Sequence, residues 1–239
     1  MSADNTFTQA RAETIGYHEQ YYSKHKLFES GSWLEKPDPK TSELIKRVAD
    51  KPACRVLDLG AGVGRNAIPM AKALPDDAQV TCIELVPSAA ALLQEYANQH
   101  GVGKKIVVIN DDFENVSLPP DEFHLVLGIS TLEHCSNHDN LVKLIRRFQG
   151  WTREGGVHFL SFSTSRKVTD HASGKPIDTF VETRLQTESW QRDLADLYSG
   201  WNIEKLGSVE PYSEVLTYRG AKVIWSSDEM EILASKPNQ

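Results

Sequence analysis

The stretch that most constrains this chain is "RVLDLGAGVGRN", residues 55–66. A short apolar run carries Asp58, and three glycines follow at alternate positions, Gly60, Gly62 and Gly64. Glycine reaches positive φ freely and lets another molecule lie against bare backbone. A strand that enters such a loop and leaves it as a helix ("RNAIPMAKAL") opens a strand–helix–strand unit. The pattern then repeats. "QVTCIEL", "KKIVVIND", "FHLVLGIS" and "GGVHFLSFS" read as strands; "SAAALLQEYANQHG", closed by Gly101, and "LVKLIRRFQGW" read as helices. Strands alternating with helices of about 10–15 residues predict an α/β fold, a parallel sheet covered on both faces. The near-continuous apolar character of the first, fourth and fifth strands fits burial on both sides.

Before this core, residues 1–15 read as a loosely docked tail, and Tyr17, Tyr21 and Tyr22 are spaced for one helical face. "KPDP" at 36–39 breaks any helix, and "PKTSELIKRVAD" is an amphipathic helix with Leu44, Ile45 and Val48 inward. After residue 164, "TSRKVTDHASGKPID" reads as a long surface loop. "TESWQRDLADLYSG" reads as a helix capped by Thr187, ended by Gly200, with Trp190, Leu194 and Leu197 as its apolar stripe. The end reads as a strand "WNIEKLGSVE", a ribbon near "EVLTYRGAKVIW" and a last strand "EMEILASKP".

In a doubly wound sheet, ligands sit outside the carboxyl ends of strands, where the strand order reverses. Glu84 closes the second strand, where an acid takes ribose hydroxyls. Loop and acid together point to an adenosine-type ligand. A nicotinamide dinucleotide requires G-x-G-x-x-G and a pyrophosphate on the helix start. Here the spacing is G-x-G-x-G, and Asp58 stands two residues before the first glycine. A carboxylate there suits a ligand with an ammonium and a sulfonium, which is S-adenosylmethionine. Asp112 is placed to accept from the adenine amino group, and Phe113 to stack on or flank the ring.

As an ordered set, "VLDLGAGVGRN", "CIEL", "INDDFENV", "FHLVLGISTLEH" and "REGG" resemble the motifs of class I S-adenosylmethionine-dependent methyltransferases over about residues 40–165. The resemblance implies a Rossmann-like sheet of about seven strands, mostly parallel with an antiparallel last strand. It also implies a methyl-transferring enzyme that releases S-adenosylhomocysteine. It carries cofactor roles onto Asp58, Gly60, Gly62, Glu84, Asp112 and Ile129, with Ala61, Arg65, Asn66 and Leu85 beside them. A narrower likeness, in "GVGRN", the "YY…F…WLEKP" entry segment and "YSGWNIEKL…LTYRG…EILASKP", is to tellurite-resistance methyltransferases, which act on selenium or tellurium oxyanions. That family's His-Arg pair aligns with Tyr218-Arg219.

Methyl transfer is in-line displacement, so positioning dominates. A soft oxyanion needs cationic clamps, for which Arg219, Arg184 and Lys222 are candidates. A hydroxyl or amine needs a base in hydrogen-bond reach, for which Glu133 and His134, just past the fourth strand, are best placed. His18, His138 and His171 are weaker candidates, and Cys135 reads as packing. Tyr17, Tyr21, Tyr22 and Trp33 form a candidate aromatic lid, with Tyr17 or Tyr21 expected at the ligand.

The chain of 239 residues reads as one domain: 1–40 as lid, 41–164 as cofactor-binding core, 165–239 as the substrate side. A net charge of −7 without a basic run disfavours nucleic acid and leaves a small molecule as the expected acceptor. Three scattered cysteines, an N-terminus without an apolar signal core and no run of roughly 20 apolar residues point to a cytoplasmic protein with no membrane partner. No metal site is expected, and a monomer or homodimer is. A noncatalytic S-adenosylmethionine-binding module and a nicotinamide-dependent oxidoreductase stand as alternatives.

Overall fold

The computed structural model describes residues 3–179 and 182–238. Met1 and Ser2, where the expected tail begins, lie outside the described residues, as do residues 180, 181 and 239. Seven strands form one sheet: β1 (Arg55–Leu59), β2 (Gln79–Glu84), β3 (Ile106–Asn110), β4 (Phe123–Ile129), β5 (Thr152–Asp170), β6 (Asn202–Tyr218) and β7 (Ala221–Ser235). Their order is β3-β2-β1-β4-β5-β7-β6. β1 to β5 are parallel, and β7 runs antiparallel between β5 and β6. This is the Rossmann-like sheet expected, with its one reversed strand.

Alternate strand residues serve opposite faces. Val56, Val80, Cys82, Leu125 and Leu127 pack on one face with α2 (Thr41–Val48), α3 (Ala67–Ala73) and α4 (Pro87–Gln99). Leu57, Leu59, Ile83 and Val126 pack on the other with α5 (His138–Trp151) and α6 (Thr187–Leu197). Full burial of such side chains supplies roughly 1.5–3 kcal/mol each before the entropy of ordering is subtracted. Trp190, Leu194 and Leu197 are the buried stripe of α6, as their spacing predicts.

Four local readings are corrected. The expected tail is part of α1, which runs unbroken from Ala3 to Lys24. No apolar stripe marks its first half; ion pairs of Arg11 dock it instead. The expected loop after residue 164 begins as strand, because β5 continues past a bulge and pairs Lys167–Asp170 with Ser226–Val223 of β7. Thr187 does not cap α6. Gln186 stands at the cap position, and the Thr187 hydroxyl bonds Thr164 and Ser165 at 2.8 Å and Asp228 Oδ2 at 2.7 Å. The C-terminal strands and ribbon are one long hairpin, β6–β7, turning at Arg219-Gly220, both with positive φ.

Candidate functional site

The strand order reverses between β1 and β4, and the glycine loop leaves β1 at that point. The loop is fixed to β2 by N–H donation from Gly60 and Ala61 to the Ile83 carbonyl, at 2.9 and 3.1 Å. Gly60 has φ +65°, and a Cβ there would lie 1.9 Å from Thr131 Oγ1. Gly62 has φ +54°, and its Cβ would lie 2.8 Å from the Tyr22 hydroxyl. Glu84 braces the loop: it accepts from Gly62 N–H at 2.7 Å and from Val86 N–H at 2.8 Å. Burial pushes its pKa up, opposed by these N–H groups.

Asp58 lies on the face of Cys82 and Leu127, only 3% exposed. Its Oδ2 is buried with no hydrogen-bond partner. Burial first, and then Glu84, push its pKa up to about 8. A buried polar oxygen left unpaired is costly, so this one marks a place where a donor belongs. A bound ammonium would supply it, and the bare glycine backbone beside it fits the rest of S-adenosylmethionine.

The other expected cofactor residues divide. Asp112, just past β3, accepts from Glu114 N–H at 2.9 Å and pairs with Arg11 at 3.1 Å; burial pushes its pKa up. Phe113 is buried in the core with Leu57 and Ile83 instead of being open to a ring. Ala61 is buried, while Leu85 and Ile129 are half-buried at the ends of β2 and β4. The side chains of Arg65 and Asn66 hold the entry segment. Arg65 Nε donates to the Lys36 carbonyl at 2.5 Å and its guanidinium lies over Trp33. Asn66 Oδ1 accepts from Asp38 N–H at 2.9 Å and the Thr41 hydroxyl at 3.1 Å.

Among the aromatics, Tyr22 is the one that reaches the glycine loop. It is buried and stacks on His18. Tyr21 stacks on Trp33 with centroids 5.1 Å apart, and Tyr17 is 55% exposed.

Glu133 and His134 sit on a short 3-10 turn, Leu132–His134, directly after β4. Their side chains diverge. Glu133 is buried; its Oε1 lies 3.6 Å from Arg166, its Oε2 has no partner, and burial pushes its pKa up. His134 Nδ1 contacts Glu182 Oε2. Glu182 is held in turn by Arg11 Nε at 2.8 Å and by the Thr14 hydroxyl at 3.2 Å. Arg11 also donates to the His134 carbonyl at 2.7 Å.

Arg219 is not part of this group. It pairs with Glu13 at 2.5 Å from the β6–β7 turn, and the Tyr218 hydroxyl donates to the same carboxylate at 3.3 Å. Positions 11 and 13 of a helix are about 200° apart, so Arg219 and His134 meet opposite sides of α1. Arg184 pairs with Asp178, and Lys222 is exposed on β7 beside the turn that carries Arg219. His138 stacks on Trp190, and His171 lies on the turn after β5. Cys135 is buried, with its thiol pushed up to about 12. The sequence reading missed Arg11 and Glu182. They meet His134 from 123 and 48 residues away, and no local pattern announces such a contact. A cavity of about 400 Å³ lies nearby, bounded by Arg166–Thr169 of β5, by residues 176–179 and by Arg184. Among the described residues no helix is long and apolar enough to cross a membrane, and no three His, Cys, Asp or Glu gather as a metal site.

Residues 56–156 match the family model described as a methyltransferase domain. The release factor glutamine methyltransferase of Rhodopirellula baltica is 25% identical over 58% of this chain and 48% of its own length. A sterol 24-C-methyltransferase of Gibberella zeae is 28% identical over 48% of this chain and 29% of its own. The chain thus spans less than half the length of these curated relatives. Among solved structures, TehB from Haemophilus influenzae superimposes with a TM-score of 0.60 at 19% identity, covering 92% of this chain and 67% of that one. At that identity the likeness is one of fold. Residues 56–156 are thus similar to the methyltransferase-domain family, and the sheet shares the Rossmann-like fold of that solved methyltransferase-type structure.

Proposed function

We propose that this protein transfers the methyl group of S-adenosylmethionine to a small-molecule acceptor. The observation that carries the reading is Asp58, a buried carboxyl with an orphaned oxygen beside a loop of positive-φ glycines. Bound there, the cofactor supplies a methyl carbon already activated by its sulfonium. Asp58 would accept from the ammonium, the Gly60–Gly62 backbone would permit close approach, and Glu84 and Asp112 would hold the ribose and the adenine. Residues 1–40 act as the cover, 41–164 as the cofactor core and 165–239 as the acceptor side. The cavity beside Arg166, about 400 Å³, is of the size that holds small molecules, roughly 300–1,000 Å³. Three buried, unpaired cysteines support a reducing, cytoplasmic setting.

Calorimetric titration with S-adenosylmethionine, S-adenosylhomocysteine and NAD tests the reading. Saturable binding of the first two and not the third is expected. Binding of NAD alone overturns the cofactor and the reaction together.

A further inference from the structure

The best-connected polar group outside the cofactor crevice is built around His134. An imidazole can take a proton only through a nitrogen that carries a free lone pair. Which nitrogen that is depends on the partner of the other one. Here Nδ1 faces the Glu182 carboxylate, an acceptor, so Nδ1 carries the proton and Nε2 keeps its lone pair. Glu182 is itself set by two groups of α1, Arg11 at 2.8 Å and Thr14 at 3.2 Å. The same Arg11 reaches Asp112 at 3.1 Å and the His134 carbonyl at 2.7 Å. One guanidinium therefore spans the expected adenine-side acid and the histidine. Base, orienting acid and a third group that holds the acid are the parts of an activated proton acceptor.

The charges around His134 come from several elements. His18 of α1 packs edge-on to it, with centroids 6.3 Å apart. Burial, and then His134, hold His18 down to about 4, so it is neutral near pH 7. Glu133 beside it, Glu84 from β2 and Glu182 bring carboxyl groups to it, and Arg11 and Arg166 bring guanidinium groups to Glu182 and Glu133. Two of the expected anion clamps are paired away from it, Arg184 with Asp178 and Arg219 with Glu13. A neutral acceptor carrying its own proton meets a base.

We propose that the acceptor is a protic nucleophile, with an O–H, N–H or S–H group, that His134 Nε2 takes its proton, and that Glu182 is the positioning residue that fixes the His134 tautomer. This rests on the methyltransferase reading above and narrows its acceptor. As the acceptor's lone pair forms a bond to the methyl carbon, the carbon–sulfur bond breaks and its electron pair stays on sulfur. The acceptor's proton passes to His134 Nε2, and the imidazolium formed is held by Glu182 until solvent removes the proton. Nothing is oxidised or reduced. Arg11 and Thr14 belong to α1, so the base is complete only with α1 docked.

The test has two readouts on the full chain. The first needs no acceptor: ¹⁵N imidazole spectra with S-adenosylhomocysteine present, His134 being assigned by its absence in His134→Asn. A proton on Nδ1 and a free Nε2, with that preference lost in Glu182→Gln, is expected. A proton on Nε2 in the native protein overturns the proposal. The second is release of labelled methyl to phenol, catechol, glycine or 2-mercaptoethanol, set against selenite and tellurite. His134→Asn should lower kcat on the protic members by roughly 100-fold or more. Glu182→Gln should lower it by roughly 10-fold or more, since an amide permits the wrong tautomer. Turnover confined to selenite or tellurite, or protic turnover that survives His134→Asn, sinks the idea; where no acceptor reacts, the spectra decide. Titration of S-adenosylmethionine into each variant keeps the two readings apart. Unchanged cofactor binding with lost transfer is expected, whereas absent binding in the native protein speaks against the cofactor instead.

Discussion

Asp58 is the residue whose environment says most. Its carboxyl is held up to about 8 by burial and by Glu84, so it is mostly protonated at neutral pH until a cation arrives. A cation favours the ionised form, so binding must expel that proton whenever the pH is below about 8. Calorimetry at pH 6.5 in buffers of different ionisation enthalpy should therefore show proton release on binding S-adenosylmethionine, and Asp58→Asn should abolish it. The same substitution removes a charge-assisted bond worth roughly 1.5–3 kcal/mol, so affinity should fall about 10–100-fold. Gly60→Ala is a different kind of loss. It combines a strained φ, costing about 1–2 kcal/mol, with a Cβ driven into Thr131. Urea denaturation should show a lower midpoint, and a wild-type midpoint would contradict the loop geometry.

At the scale of elements, Arg11 ties the first half of α1 to Asp112, Glu114 and Glu182, while Tyr22 packs its second half into the core. Arg11→Ala should speed hydrogen exchange across α1 and leave β1 to β4 protected; equal protection of α1 in both proteins would place its anchor elsewhere. The elements also differ in how far sequence betrays them. β1, β2 and β4 are buried on both faces, and their apolar runs are legible without any tertiary knowledge. The outer half of β5 is half-buried with Val168 alone inside, and most of β6 is exposed, so "SRKVTD" and "EPYSEVLTY" carry no clear alternation; pairing along β7 makes them strands. The cofactor loop was legible for the same local reason as β1. The contacts of Arg65 and Asn66 with the entry segment are not legible, because adjacency to the loop does not say which way a side chain turns, and Glu182 is silent because its contact with His134 joins residues 48 positions apart.

For the whole molecule, two sets of buried groups pull stability in opposite directions with pH. His158, held down to about 3, and His18, held down to about 4, are neutral in the native state but protonate near 6.5 when unfolded. Their contribution is complete above 6.5 and is lost as pH falls toward 4. Asp58 has the reverse sign. Its raised pKa means the native state keeps a proton that the unfolded chain gives up near 3.8, so stability drains as pH rises toward 8. In the absence of cofactor, His18→Phe should flatten the acid limb of a stability–pH curve by up to about 1.4 kcal/mol per pH unit, and Asp58→Asn should flatten the limb between about 4 and 8. Limbs unmoved by either change would mean that other groups set the curve.

The contact of Glu13 with Arg219 joins residues 206 positions apart. A ribosome extends chains at roughly 5–20 residues per second, so Glu13 waits about 10–40 s for its partner to be made. During that interval the glycine loop and the residues of β1 to β5 have already been made, while the far anchor of the first helix has not. The first helix therefore receives this anchor last, after the partners of Arg11 at 112, 114 and 182 have been made.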